Sequence, residues 1–410
     1  MYRQVSVHQA IYGTGENLLL CGNGLDRPPE VQSLLGQIQG IYLDPPFRTG
    51  EVFARKRVYG EKGWRKGTPA LTVRGYSDRF PDDESYLELL EGLIRASRDL
   101  LKQEGVFCLH LDWRMSFQAR ALCDKVFGKD RFLNEIIWAY ESGGRSRRYF
   151  PRKHDTILIY ARSKHYTFDL SRVPLPRGEV RKNHMARGVD EYGRSYSRIR
   201  AHGKEYRYYD DDPVYPGDVW TDIGFLQQKD PERTGYPTQK PVRLVERLLR
   251  PVTQPGDRVA DLCCGSGTVM AAAEKMGCSF LGMDLNPEAI AVTQARLHGT
   301  DLRVVCDTAM DGTRLRAEMD EKSGRLRLFG MEFQGGCYPP SADAWDLVES
   351  WETGRVEGKT FLAEKRFQRT NQFPGLTESL NLGTREVPDL LLTDAAGIRR
   401  AYRWEKEAGG

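Results

Sequence analysis

The segment "VADLCCGSGTVMAAAEKMGCSFLGMD" does more than any other to restrict what this chain can fold into. A short apolar run ends on Asp261, and Gly265 and Gly267 follow. Glycines there let the backbone turn tightly and approach a ligand closely. A helix opens at Thr268, and a second apolar run ends on Asp284, 17 residues beyond Gly267. Strand, acid, glycine turn, helix, strand and acid together specify an α/β unit with parallel strands. The second acid is placed to accept hydrogen bonds from ribose hydroxyls. A dinucleotide site wants G-x-G-x-x-G/A, but the third position here is Met270. The competing reading is a nucleoside cofactor without a pyrophosphate, such as S-adenosylmethionine.

A second strand-like run, "GIYL", ends on Asp44 and runs into Pro45, Pro46 and Phe47. Proline fixes φ and removes a backbone donor. The stretch therefore offers a carboxylate, fixed carbonyls and an aromatic face at one point, which suits a planar ligand with an amine edge. "DESYLELLEGLIRASRDLLK" carries an apolar stripe of helical period. "GVFCLHLD", "NEIIWAY" and "HDTILIYAR" read as further strands. The Gly-, Arg- and Lys-rich residues 48–80 read as a loop up to that helix. His110 and Asp112 close a strand and are expected to be structural.

Charge is unevenly spread. Glu141–Arg207 holds 17 Lys+Arg against 7 Asp+Glu, a net of +10 in a chain of +4 overall. Such a block suggests a polyanionic partner. Its first part, "SGGRSRRYFPRKHD", places Arg145, Arg147, Arg148, Arg152 and Lys153 among aromatics, for phosphate contact. Residues 166–235 interleave Arg194, Arg198, Arg200 and Arg207 with tyrosines. Residues 300–410, with 16 Lys+Arg and 19 Asp+Glu, carry strand signals ("RLRLFGMEF", "PDLLLTD") and no catalytic motif. The eight cysteines include no CxxC pair and read as reduced core residues, not a metal site. No run is long and apolar enough to span a membrane and no signal peptide is evident, so a cytoplasmic location is expected.

Taken together, the two motifs resemble the amino-group DNA methyltransferases, in the permuted class where the DPPF-type motif precedes the cofactor motif. The shared order is Asp44–Phe47, a basic region, "YPTQKP" (Tyr236–Pro241), then Gly265–Thr268, and the likeness covers roughly residues 11–298. It implies a Rossmann-like, S-adenosylmethionine-dependent α/β methyltransferase sheet, circularly permuted, with an inserted target-recognition region and a C-terminal extension. The divisions expected are 1–165 (catalytic half), 166–235 (recognition insert), 236–299 (cofactor half) and 300–410 (C-terminal domain). It implies transfer of a methyl group to adenine N6 in duplex DNA by Asp44, Pro45, Pro46 and Phe47. S-adenosyl-L-methionine would be held by Asn23, Thr238, Gln239, Lys240, Pro241, Asp261, Gly265, Ser266, Gly267, Thr268, Asp284, Leu285 and Asn286. A homodimer and a restriction subunit are further partners it brings. In this family Gly-Asp often stands where the chain has Gly22-Asn23, and Asn is common where it has Arg48. Transfer to cytosine N4 and a catalytically inactive recognition subunit are the alternatives. Attack on cytosine carbon needs a cysteine after a proline, and none of the eight follows one.

Overall fold

The computed structural model describes residues 1–58, 70–141, 146–176, 185–297, 301–320, 323–332, 345, 347–369, 376–377, 379–382 and 386–405. Its centre is a run of six mutually parallel strands, in the order Leu302–Val305, Asn17–Cys21, Ser279–Asp284, Arg258–Asp261, Ile38–Leu43 and Leu101–Leu111. The antiparallel strand His154–Ala161 pairs next, followed by Phe132–Ala139 and the short Val219–Trp220.

Helices cover both faces, which is why the central strands read as continuous apolar runs. Val242–Leu249, Thr268–Met276 and Pro287–Arg296 pack on one face, where Tyr42, Cys108 and Phe280 point. Asp83–Leu100 and Ser116–Phe127 pack on the other, against Ile41, Leu43 and Phe107. The Asp83–Leu100 helix starts where the Asp82 carboxylate accepts from the Ser85 amide, an N-cap that satisfies one of the orphan donors of the first turn. The strand bearing Asp44 and the strand bearing Asp261 are neighbours in space although some 200 residues separate them in the chain.

Two stretches differ from the sequence expectation. Residues 48–80 are not simply a loop, since Val52–Val58 and Ala70–Ser77 form an antiparallel ribbon. The consecutive charges Arg55, Lys56 and Arg57 erase the alternation that would have announced a strand. The expected irregular insert contains a three-stranded antiparallel meander, Ala186–Val189, Ser195–Ala201 and Lys204–Tyr209.

The last hundred residues extend the same sheet. Thr360–Gln368 pairs in parallel with Gln9–Tyr12, and Val348–Glu357, Asp389–Asp394 and Arg399–Trp404 continue outward to Tyr2–Val5 at the edge. A separate apolar cluster around Trp351, Leu390 and Tyr402 supports these strands. Among the described residues, no helix is long and apolar enough to cross a membrane.

Candidate active site

In a parallel sheet, the loops leaving the carboxyl ends of the strands form the ligand crevice. Four such ends converge here, carrying Asn23, Asp44, Asp261 and Asp284. They line one cavity of ≈ 640 Å³, within the ~300–1,000 Å³ usual for small-molecule sites. One strand separates those of Asp44 and Asp284, so the sheet sets these acids about 10 Å apart. That leaves room between them for a ligand of nucleoside size.

Burial lifts the Asp284 carboxyl from 3.8 to about 6, although the backbone amides of Asn286 and Gly265 both donate to it and pull the other way. Both of those bonds are 2.8 Å long. Asp261 is pushed well above the carboxylate range by burial and by its neighbours Asp44 and Asp284, while it accepts from the Cys263 amide. Gly265 has φ +50°, and a Cβ there would come within 3.3 Å of the Tyr236 ring. Gly267 (φ +74°) lies flat against Thr293, where a Cβ would have 2.6 Å. Neither Gly267 nor Pro241 lines the cavity. Gly267 makes the turn into the helix, and Pro241 caps Val242–Leu249.

At the other end, the Pro46 carbonyl accepts from Tyr86 Oη at 2.9 Å. The Pro45 carbonyl has no hydrogen bond among the described residues. Lys240 Nζ lies 2.9 and 2.7 Å from the two carboxylate oxygens of Asp44 and 4.7 Å from the centre of the Phe47 ring. Lys240 was expected at the cofactor; it is bonded to the acid of the other motif. Phe47 in turn packs on His110, ring centres 5.7 Å apart.

His110 is fully buried between Tyr42 Oη (2.5 Å) and Asp155 (3.1 Å), and Asp155 also accepts from Tyr140. A tautomer with Nε2–H donating to Asp155 and Nδ1 accepting from Tyr42 satisfies all three groups. His110 thus supports the floor of the site, and Asp112 is engaged by Arg114.

Arg48 has φ +59°. Asn adopts that left-handed conformation more readily than most residues, and Arg less so. Here the Arg48 and Thr49 amides are held by Asp78, and the guanidinium pairs with Asp83. Thr238, a β-branched residue at φ +57°, is also strained; its hydroxyl bonds the Pro237 carbonyl (2.7 Å) and Tyr76 Oη (3.2 Å). Phe53 and Tyr76, stacked across the ribbon with ring centres 4.8 Å apart, line the cavity and were not singled out from the sequence. Tyr42 and Tyr236 line it as well. Only an aromatic beside each known motif hinted at them. Asn23, Thr238, Gln239, Ser266, Thr268, Leu285 and Asn286 all border the cavity.

The basic residues fall into two groups. Arg147, Arg148, Arg152 and Lys153 precede His154–Ala161, at the same end of the sheet as Asp44. In the meander, Arg194 is paired with Asp211 and Asp212, whereas Arg198, Arg200 and Arg207 share the single Glu205. Arg145 lies outside the described residues.

The sheet order, the acid-tipped strands and a cavity joining a nucleoside-type pocket to an Asp-Pro-Pro-Phe corner define an α/β methyltransferase. The model of the N6/N4-type DNA methylase family matches residues 38–295, and the chain belongs to that family. It is 40% identical over 261 residues to the type II methyltransferase M2.DpnII of Streptococcus pneumoniae, covering 63% of this chain and 81% of the relative. It is 26% identical over 259 residues to the DNA adenine methyltransferase YhdJ of Escherichia coli K12, covering 63% and 75%. A DNA modification methylase of Thermus thermophilus, solved with S-adenosyl-L-methionine, is 18% identical with a TM-score of 0.42, covering 70% and 98%.

Proposed function

We propose that this chain methylates the exocyclic N6 amine of adenine within a specific sequence of duplex DNA. The observation that carries the reading is a shared cavity: Asp44, Pro45 and Phe47 line the same space as Asp284 and Gly265. An exocyclic amine is a poor nucleophile because its lone pair is conjugated into the ring. Two acceptors, the Asp44 carboxylate and the Pro45 carbonyl, would draw both amine protons and turn the lone pair out of the ring plane. Each carboxylate oxygen has a second lone pair, so the bonds from Lys240 leave one available. Phe47 would stack on the base, an interaction worth ~1–3 kcal/mol, and His110 beneath it holds the ring in place. The base reaches this corner only after flipping out of the duplex, at a cost of a few kcal/mol.

The residues at the other end fit S-adenosyl-L-methionine, which when bound supplies an electrophilic methyl group on sulfur. Asp284 would accept from the ribose hydroxyls, Gly265 allows close approach, and Thr238 and Gln239 border the same space. An acid in the first position of the catalytic motif favours adenine over cytosine, because cytosine-N4 enzymes more often have Ser there. The insert 166–235 is the region that would read sequence, and residues 300–410 would add contacts or a dimer surface. A second copy of the chain and a restriction subunit are the partners this reading adds to DNA; co-purification tests both. Incubation with methyl-labelled cofactor and DNA, followed by nucleoside analysis, tests the activity. Label in N6-methyl-2′-deoxyadenosine supports the reading, and unlabelled DNA contradicts it.

A further inference from the structure

An exposed aromatic cluster stands beside the site and has no part in the chemistry above. Arg152 stacks on Trp113 at 3.7 Å and lies 4.8 Å from the Tyr149 ring, and Arg114 covers Trp113 at 5.0 Å. Phe150, next in the chain, is 96% exposed. With Trp113 and Tyr149, also exposed at 40% and 59%, it makes an apolar patch of the kind that marks an interaction site. Its neighbours Arg147, Arg148, Pro151 and Arg152 are exposed too.

The cluster's position is set by the sheet. Trp113 follows the strand Leu101–Leu111, whose neighbour Ile38–Leu43 leads to Asp44. The antiparallel strand His154–Ala161 begins at that same end. Just after Phe150 the chain is anchored: the Tyr140 amide donates to the Lys153 carbonyl, and the Tyr140 hydroxyl to Asp155, which also holds His110 under Phe47. Phe150 is thus carried on a loop anchored to the floor of the methylation corner.

The charge around the cluster selects its occupant. Arg114 and Arg152 lie on the rings and Arg147, Arg148 and Lys153 flank Phe150 in the chain, so a second copy of the chain meeting this patch across a two-fold axis would bring cation against cation. A polyanion with flat apolar faces in its interior matches both the charges and the rings. We propose that Phe150 is a wedge that enters duplex DNA at the target step and fills the space left by the flipped base, while Arg147, Arg148 and Arg152 hold the flanking phosphates. Apolar wedges of this kind unstack a base step and hold the duplex open. The proposal rests on the methyltransferase reading above.

The test uses the full chain and two duplexes carrying its methylated site, once modified-base sequencing has located that site. One duplex is fully paired; in the other the target base faces an abasic position and is already unpaired. Phe150→Ala should slow methylation of the paired duplex roughly ten- to a hundredfold, the scale set by a few kcal/mol of unstacking. It should leave the second duplex within about threefold of the unaltered chain. Phe150→Leu should restore most of the rate on paired DNA. Equal rates with the unaltered chain on both duplexes, equal loss on both, or a change of oligomeric state in sedimentation would each overturn the wedge. If the methyltransferase reading itself is at fault, modified-base sequencing will find no methylated site on which to build the duplexes.

Discussion

Lys240 binds both carboxylate oxygens of Asp44, at 2.9 and 2.7 Å, from a position 196 residues away in the chain. Both side chains are largely buried, at 10% and 19% exposure. Removing one partner of such a pair leaves the other as an uncompensated charge, commonly at a cost of about 3–5 kcal/mol. Asp44→Ala therefore confounds catalysis with stability; Asp44→Asn also leaves the Lys240 charge unbalanced but keeps an acceptor for its hydrogen bond, which makes it the cleaner probe. It keeps the shape and one acceptor but loses the charge. Single-turnover methylation should fall by more than about a hundredfold in Asp44→Asn, on the scale of losing one preorganised electrostatic contact. Cofactor affinity by calorimetry should stay near that of the unaltered chain.

Lys240→Met should lose about 3 kcal/mol in urea unfolding. A double-mutant cycle with Asp44→Asn should then show strong coupling, because most of that loss is the orphaned carboxylate. Additive effects would mean that the ion pair does not govern Asp44.

Asp284 gives a pH signature. Burial raises its carboxyl from 3.8 to about 6 in the fold. The unfolded chain gives up this proton first, so this group's contribution to stability is lost as pH rises from about 4 through 6, by at most ~3 kcal/mol. Cofactor affinity has the opposite sign, because ribose hydroxyls need the ionised carboxylate as acceptor. The dissociation constant for S-adenosyl-L-methionine should rise about tenfold per unit below pH 6. In Asp284→Ala it should be roughly ten- to a hundredfold weaker at pH 8, for one charge-assisted hydrogen bond, and nearly flat with pH. Calorimetry between pH 5 and 8 distinguishes these curves.

Both ends of the cavity were legible in the sequence because each chemical residue sits where an apolar run stops. Asp44, Asp261 and Asp284 announce themselves as strand ends, and Gly265 as the turn between. The Lys240–Asp44 bond was not legible, since nothing local connects residues so far apart. The same holds for Trp113 under Arg152, and for Tyr42, His110 and Asp155, whose neighbours come from three strands. The Val52–Val58 ribbon was hidden by its own charges. Residues 300–410 looked detached because their partners are Gln9–Tyr12 and Tyr2–Val5, nearly the whole chain away.

That pairing predicts the outcome of truncation. Leu302–Val305 lies between Asn17–Cys21 and Gln9–Tyr12, so removing residues 300–410 strips the strand beside the one that leads to Asn23. The truncated chain should be insoluble, or lack a cooperative thermal transition in circular dichroism. A folded, active fragment 1–299 would show that the tail is dispensable.

The meander predicts a split among arginines. Arg200 is 82% exposed in its side chain and only 3.7 Å from a Glu205 that also serves Arg198 and Arg207. If it contacts phosphate, Arg200→Ala should flatten the salt dependence of DNA binding by about one unit of slope. Arg194, committed to Asp211 and Asp212 and stacked on Tyr209 at 4.1 Å, should on replacement loosen the meander and leave that slope unchanged. Binding isotherms at several salt concentrations read both.

The most direct test of the central claim is modified-base sequencing of DNA from cells expressing the chain, beside cells expressing Asp44→Asn. The account predicts N6-methyladenine at one short sequence in the first and none in the second. N4-methylcytosine, no modified base, or an unchanged pattern in Asp44→Asn would contradict it.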